Sequence, residues 1–101
     1  MKFTTLSLRT SPGRRDELIA YYRSAGILGA SGAPAAQVLV PADDEPHTIV
    51  VTALWADVAA RAAWQNSPRR REIALGMAPF FDSADAISTR EFHVAEHYAA
   101  Q

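Results

Sequence analysis

Cysteine is missing from the chain, which removes disulfides, thiolate metal sites and a thiol nucleophile. An excess of charge of either sign is missing too. Ten lysines and arginines stand against eleven acidic residues, a net charge of −1 at pH 7. So even a balance makes no broad positive field to hold a phosphate backbone, and no nucleic-acid partner is expected. No apolar run is long enough to cross a bilayer, and the opening MKFTTLSLRT lacks the unbroken apolar stretch of a signal peptide. The expectation is a cytoplasmic protein with no membrane partner. Glycine-rich phosphate loops, nucleophile elbows and acid pairs at catalytic spacing are also absent. Function has to be sought in less specific features.

What is present suits one small domain over residues 1–101, with 49% hydrophobic residues. A core of that size is adequate but not generous, so burying more apolar surface in an oligomer would help. KFTTLSLR (2–9) is rich in threonine and apolar residues and reads as a strand. Ser11 then reads as a helix N-cap with Pro12 in the first turn, and Asp16 and Glu17 sit where the helix dipole favours negative charge. Leu18, Tyr22 and Ala25 recur at i, i+4 and i+7, with Ile19 widening the stripe. Gly26, Gly29, Gly32 and Pro34 end that helix.

AAQVLV (35–40) and HTIVVTALW (47–55) flank the polar PADDEP, a hairpin with a loop of about six residues. Asp57 caps a second helix that runs through Gln65. Asn66-Ser67-Pro68 breaks and restarts it; Ile73, Met77 and Phe80 or Phe81 then form a buried stripe, and Pro79 ends it. ISTREFHVAEHY (87–98) is the closing strand. SPGRRDELI (11–19) and SPRRREIAL (67–75) echo each other at the starts of helical segments. The order β-α-β-β-α-β, with right-handed crossovers, predicts an α+β fold: a four-stranded antiparallel sheet with two helices on one face.

HTIVVTALW is apolar on both alternating faces, with Ile49, Val51, Ala53 and Trp55 on one and Val50 and Leu54 on the other. A strand of that kind is buried on both sides. Helices cover only one, so the expectation is a homodimer packed sheet to sheet about a two-fold axis.

Trp64 has the small helical neighbours Ala60 and Ala63, which leave room beside its ring. It is either a core residue or the wall of a pocket. Trp55, at a strand end, belongs to packing. His93 and His97 have a metal-like H-x3-H spacing, but on a strand four residues span roughly 13 Å. Ligands of one metal lie only about 2 Å from it, so no metal is expected. His93 remains as a lone acid or base, or as a histidine on a half-exposed strand. His47 reads as solvated. Arg69, Arg70 and Arg71 open the restarted helix as a wet face, or one of them, such as Arg71, holds an anionic substrate. Tyr22 falls in the buried stripe and Tyr21 at its edge, and either phenol could line a cavity between helix and sheet.

SPGRRDELIAYYRSAGIL, HTIVVTALWADVAARAAWQNSPRRR and the element order resemble the antibiotic-biosynthesis monooxygenase superfamily over roughly residues 3–98. Its members are ferredoxin-like dimeric α/β barrels. The resemblance implies a cofactor-independent oxidation of a small aromatic, a polyketide-like phenol or anthrone, by O2. Quinone-forming members use a tryptophan on the second helix, which Trp64 matches, and an asparagine one turn earlier, where this chain has Ala60. The only asparagine, Asn66, lies roughly 200° around the helix from Trp64. Haem-degrading members add a histidine ten residues after the tryptophan and an asparagine in the first strand; here those are Ala74 and Ser7. The expected catalytic residues are Trp64 and His93, with Tyr22, Trp64, Arg71, Met77 and Phe80 contacting substrate and no cofactor. The competing expectation is a non-catalytic dimeric module that binds a small ligand, or haem through His93 or His97.

Overall fold

The computed structural model describes residues 1–100; Gln101, the last residue of the expected domain, lies outside them. In chain order the elements are β1 (Lys2–Arg9), α1 (Arg15–Ser24), a single-turn α2 (Ile27–Ala30), β2 (Ala35–Leu39), β3 (Thr48–Trp55), α3 (Val58–Gln65), α4 (Pro68–Met77) and β4 (Ile87–His93). Two 3-10 turns, Ala78–Phe80 and Ala84–Ala86, lead from α4 into β4. The strands stand in the order β2-β3-β1-β4, every neighbouring pair antiparallel. This is the ferredoxin-like α+β arrangement. Each helical crossover skips one strand, so it joins strands that point the same way without pairing them.

Alternation along the strands sorts the side chains. Leu6 is opposite Val51 on one side and Thr89 on the other, and Thr4 is opposite Ala53 and Glu91; these share the helix-covered face. Phe3, Val50, Leu54 and Phe92 share the bare one. Under the helices, Leu8 and Ile49 from the sheet meet Leu18, Tyr22, Ile27 and Ile73 in one buried cluster. The stripe Leu18–Tyr22 and the position of Ile73 are as the helical periodicity requires.

Two boundaries differ from the sequence reading. Ser11 does not cap α1. The backbone of Gly13 is left-handed (φ +80°), which turns the chain before the helix can start, and Arg14 takes the N-cap position with no side-chain bond. The Ser11 hydroxyl instead donates to the Asp82 carboxylate (2.7 Å), while its amide donates to the Phe80 carbonyl (2.9 Å). Ser67, in the matching Ser-Pro, does cap: its hydroxyl accepts from the Arg70 amide at 3.3 Å. Asp57 likewise accepts from the Ala60 amide at 2.8 Å. The second difference is β4, which stops at His93 rather than running to residue 98. Its neighbour β1 begins at Lys2, opposite His93, and past that point only the Val94 amide still pairs, with the Met1 carbonyl (3.0 Å).

α1 and α4 lie antiparallel and are fastened at both ends. Arg69 Nη2 donates to the Ala25 carbonyl (2.9 Å), and Arg14 Nη1 donates to the Pro79 carbonyl (2.8 Å). Between them the Tyr21 hydroxyl donates to the Ile73 carbonyl (3.1 Å). Gly76 sits directly under this ring: a Cβ there would overlap the Tyr21 hydroxyl and come within 2.8 Å of Cζ. Overpacking costs about 1–3 kcal/mol, more than the roughly 1 kcal/mol that alanine returns as a helix former. G76A is therefore expected to lower stability in urea unfolding despite its better helix propensity; an equal or raised midpoint would show that α1 and α4 are not held this closely.

Candidate functional site

The helix layer covers the sheet unevenly. β4 is exposed along its whole length, and between it, the centre of the sheet and helices α3 and α4 lies a cavity of about 690 Å³. Small side chains make the room. Ala36 and Ala53 line it from the sheet, and Ala74 and Ala78 from α4 and the turn after it. The walls come from Trp64 and Gln65 at the end of α3, from Tyr22 of α1 and from Leu28 of α2. Trp55 forms part of the floor but is only 3% exposed, and its indole N–H donates to Thr4 Oγ1 (3.0 Å), so it belongs to the core as its strand position indicates.

Of the side chains singled out from the sequence, the fold brings Trp64, Tyr22 and Met77 together on this cavity. Arg71, Phe80 and His93 are not in its lining. Arg70 takes the place expected for Arg71. Residues 70, 73, 74 and 77 share one helical stripe, and the buried Ile73 fixes which way that stripe faces. Arg71 turns away and donates to the Asn66 carbonyl at the kink (3.4 Å). Phe81 takes the place of Phe80. The 3-10 turn ends the α-helical phase, after which Phe81 is extended and faces the cavity. Phe80 packs against Tyr21 (ring centroids 5.9 Å apart) beneath the Arg14 guanidinium.

His93 ends β4, exposed and opposite Lys2. His97 lies beyond the strand, so strand spacing does not govern the pair. Among the described residues no three histidine, aspartate or glutamate side chains gather as metal ligands. His47 is half-buried rather than solvated, with its Nδ1 enclosed and unpartnered and its carbonyl accepting from the Thr10 amide (2.7 Å).

One feature of the cavity has no local sequence signal. The Glu91 carboxylate on β4 accepts from Arg61 of α3 and stands 3.4 Å from Lys2 Nζ. Arg61, with a side chain only 12% exposed, and Glu91 both line the cavity. The contact joins α3 to the sheet across residues 30 positions apart. For Arg70 a signal did exist, since it shares the stripe with Ile73 and Met77.

Tyr22 carries the clearest electrostatic perturbation. Burial pushes its hydroxyl up from 10.0 to about 12, against a smaller opposing pull from the positive Arg70. At neutral pH it is a phenol and a hydrogen-bond donor, and among the described residues its hydroxyl has no partner. The site can thus offer an aromatic face, a neutral donor and a guanidinium to one bound molecule. Haem fits poorly. It needs an axial ligand, and the lining holds no histidine; burial disfavours the phenolate that Tyr22 would have to supply, which leaves the Met77 thioether.

The folded state holds the Tyr22 proton more tightly than the unfolded chain does. Its stabilisation is complete below pH 10 and is lost as the pH rises from about 10 to about 12. The difference corresponds to about 3 kcal/mol. Y22F is expected to flatten the fall in urea-unfolding stability across that alkaline range; an unchanged slope would mean that the phenol is solvated.

Solved structures share the architecture. A protein of unknown function from Nitrosomonas europaea superposes with a TM-score of 0.77 at 20% identity, covering 99% of this chain and 94% of that one. A Deinococcus radiodurans protein, provisionally called an antibiotic biosynthesis monooxygenase, gives 0.79 at 14% identity, covering 100% and 99%. Rv0793 from Mycobacterium tuberculosis gives 0.77 at 11% identity, covering 97% and 98%. At such identities the likeness speaks for the fold alone. No curated protein matches the sequence. The family model for antibiotic biosynthesis monooxygenases matches residues 2–74, a span that carries Tyr22, Trp64 and Arg70. The chain belongs to the antibiotic biosynthesis monooxygenase family.

Proposed function

We propose that the chain is a cofactor-independent monooxygenase, acting as a homodimer, that oxidises a small electron-rich phenol or anthrone with O2. The observation that carries this reading is the cavity walled by Trp64 and the protonated Tyr22, with Arg70 beside them. Once an anthrone has lost a proton, its carbanion can pass electrons to O2 directly. In the net reaction the ring CH2 becomes C=O with one oxygen atom, and the other leaves as water with both hydrogens. The protein's share is to bind the ring, exclude water and stabilise the anion. Trp64 supplies a face for the substrate, Tyr22 donates a hydrogen bond to its oxyanion, and Arg70 takes the anion-stabilising role first expected of Arg71. His93 can act as acid or base only on a substrate that reaches out of the cavity to the end of β4.

The test is oxygen uptake with anthrone, with anthraquinone followed as the product. A rate proportional to protein and lowered about tenfold or more in W64A is expected; uptake no faster than autoxidation would defeat the reading. Ala60, standing where quinone-forming members have asparagine, favours the second reading of a binder without turnover. That reading is selected if ligands bind and no oxygen is consumed.

The bare sheet face supports the homodimer. Phe3 and Phe92 pair there with ring centroids 6.3 Å apart, and Phe92 and Leu39 are 38% and 41% exposed. Sheet-to-sheet packing would remove this apolar surface from water. Sedimentation is expected to give twice the monomer mass, and L54K to give a monomer; a wild-type monomer at micromolar concentration would contradict the pairing.

A further inference from the structure

The cavity is polar at one end only. The Arg69 contact with Ala25 brings the first turn of α4 to the last turn of α1. Arg61 reaches Glu91, which lies near the end of the sheet where β1 begins. Arg61, Arg70, Gln65 and Glu91 therefore gather at that end. At the other end stand Leu8, Ile87, Met77 and Phe81, all apolar.

The charges at the polar end do not cancel. Glu91 is already held by two cations, Arg61 and Lys2. Among the described residues, Arg70 has no carboxylate partner and the Tyr22 hydroxyl has no hydrogen-bond partner. Arg70 is close enough for its charge to act on Tyr22. A planar fork of N–H donors and a neutral O–H thus face the same space, with no acceptor assigned to either. Such a pair suits two oxygens sharing one negative charge.

We infer that the cavity selects an amphiphile with a carboxylate head, seated on Arg70 and the Tyr22 hydroxyl, and an apolar body lying toward Met77 and Phe81. The inference rests on reading the cavity as a ligand site; it seats a carboxylate where the proposed reaction seats the substrate oxyanion, so the two anions are alternative occupants of Arg70 and Tyr22.

The test compares 2-naphthoate with its neutral isostere 2-naphthamide by titration calorimetry at pH 7 and low salt. The carboxylate is expected to bind about tenfold tighter, as an ion pair with the guanidinium replaces an ion–dipole contact with the amide carbonyl. R70Q should abolish that preference, weakening the carboxylate far more than the naphthamide, whereas R71Q should keep it. Equal affinities in the wild type, or a preference that survives R70Q, would overturn the carboxylate assignment and leave the cavity reading intact. Failure of both probes to bind would overturn the ligand site itself and this inference with it.

Discussion

The hollow between helices and sheet exists because the helix layer is fastened at its edges and built of small residues in between. Arg14 on Pro79, Arg69 on Ala25 and Arg61 on Glu91 hold three corners. Tyr21 on Ile73 fixes how closely α1 and α4 approach. Protein interiors normally close to crystal-like density. Here Ala36, Ala53, Ala74 and Ala78 have too little bulk to fill the space, and the tethers keep the layers from settling onto each other. A dry void of about 690 Å³, at roughly 24 cal/mol per Å³, would cost more than the whole stability of a typical domain. Without a ligand the hollow is therefore open to water along the uncovered β4, while Tyr22 at its inner wall stays only 5% exposed.

That geometry sets what chemistry is available. A bound aromatic would displace water from an apolar wall while its polar end meets Tyr22 and Arg70. Interactions between charges strengthen as water leaves. Burial keeps the Tyr22 phenol protonated at neutral pH, so it presents a hydrogen-bond donor to the cavity. The Glu91 carboxylate is the one acidic group in the lining among the described residues, and it is engaged by Arg61 and Lys2. The site is thus built to receive negative charge.

Local signals in the chain carried most of the architecture. Strands β1 to β3, the two faces of HTIVVTALW, the caps at Asp57 and Ser67 and the Leu18–Tyr22 stripe are set by period and by neighbours within a few residues. Ser11 misled because the same Ser-Pro that caps at Ser67 is followed there by arginine and here by Gly13, whose left-handed backbone turns the chain first. The end of β4 depended on how far β1 extends, which its own residues do not encode. At the site, Tyr22 and Met77 were legible because helical periodicity aims them, and Trp64 because Ala60 and Ala63 leave room beside its ring and the family resemblance points to it. Arg70 rather than Arg71 could have been read from the same stripe, three residues before Ile73, whereas Phe81 rather than Phe80 required the 3-10 turn. The Arg61–Glu91 contact spans two elements that meet only in the finished fold, so no local pattern could carry it.

The claim beneath all of this is that the hollow stays open in solution. Urea unfolding of A74F tests it most directly, because Ala74 points a methyl group into that space from α4. An open hollow accepts the ring, and the stability should stay within about 0.5 kcal/mol of the wild type, the cost of helix propensity alone. If the helices have collapsed onto the sheet, the ring has nowhere to go, and a loss of about 1–3 kcal/mol would contradict the account.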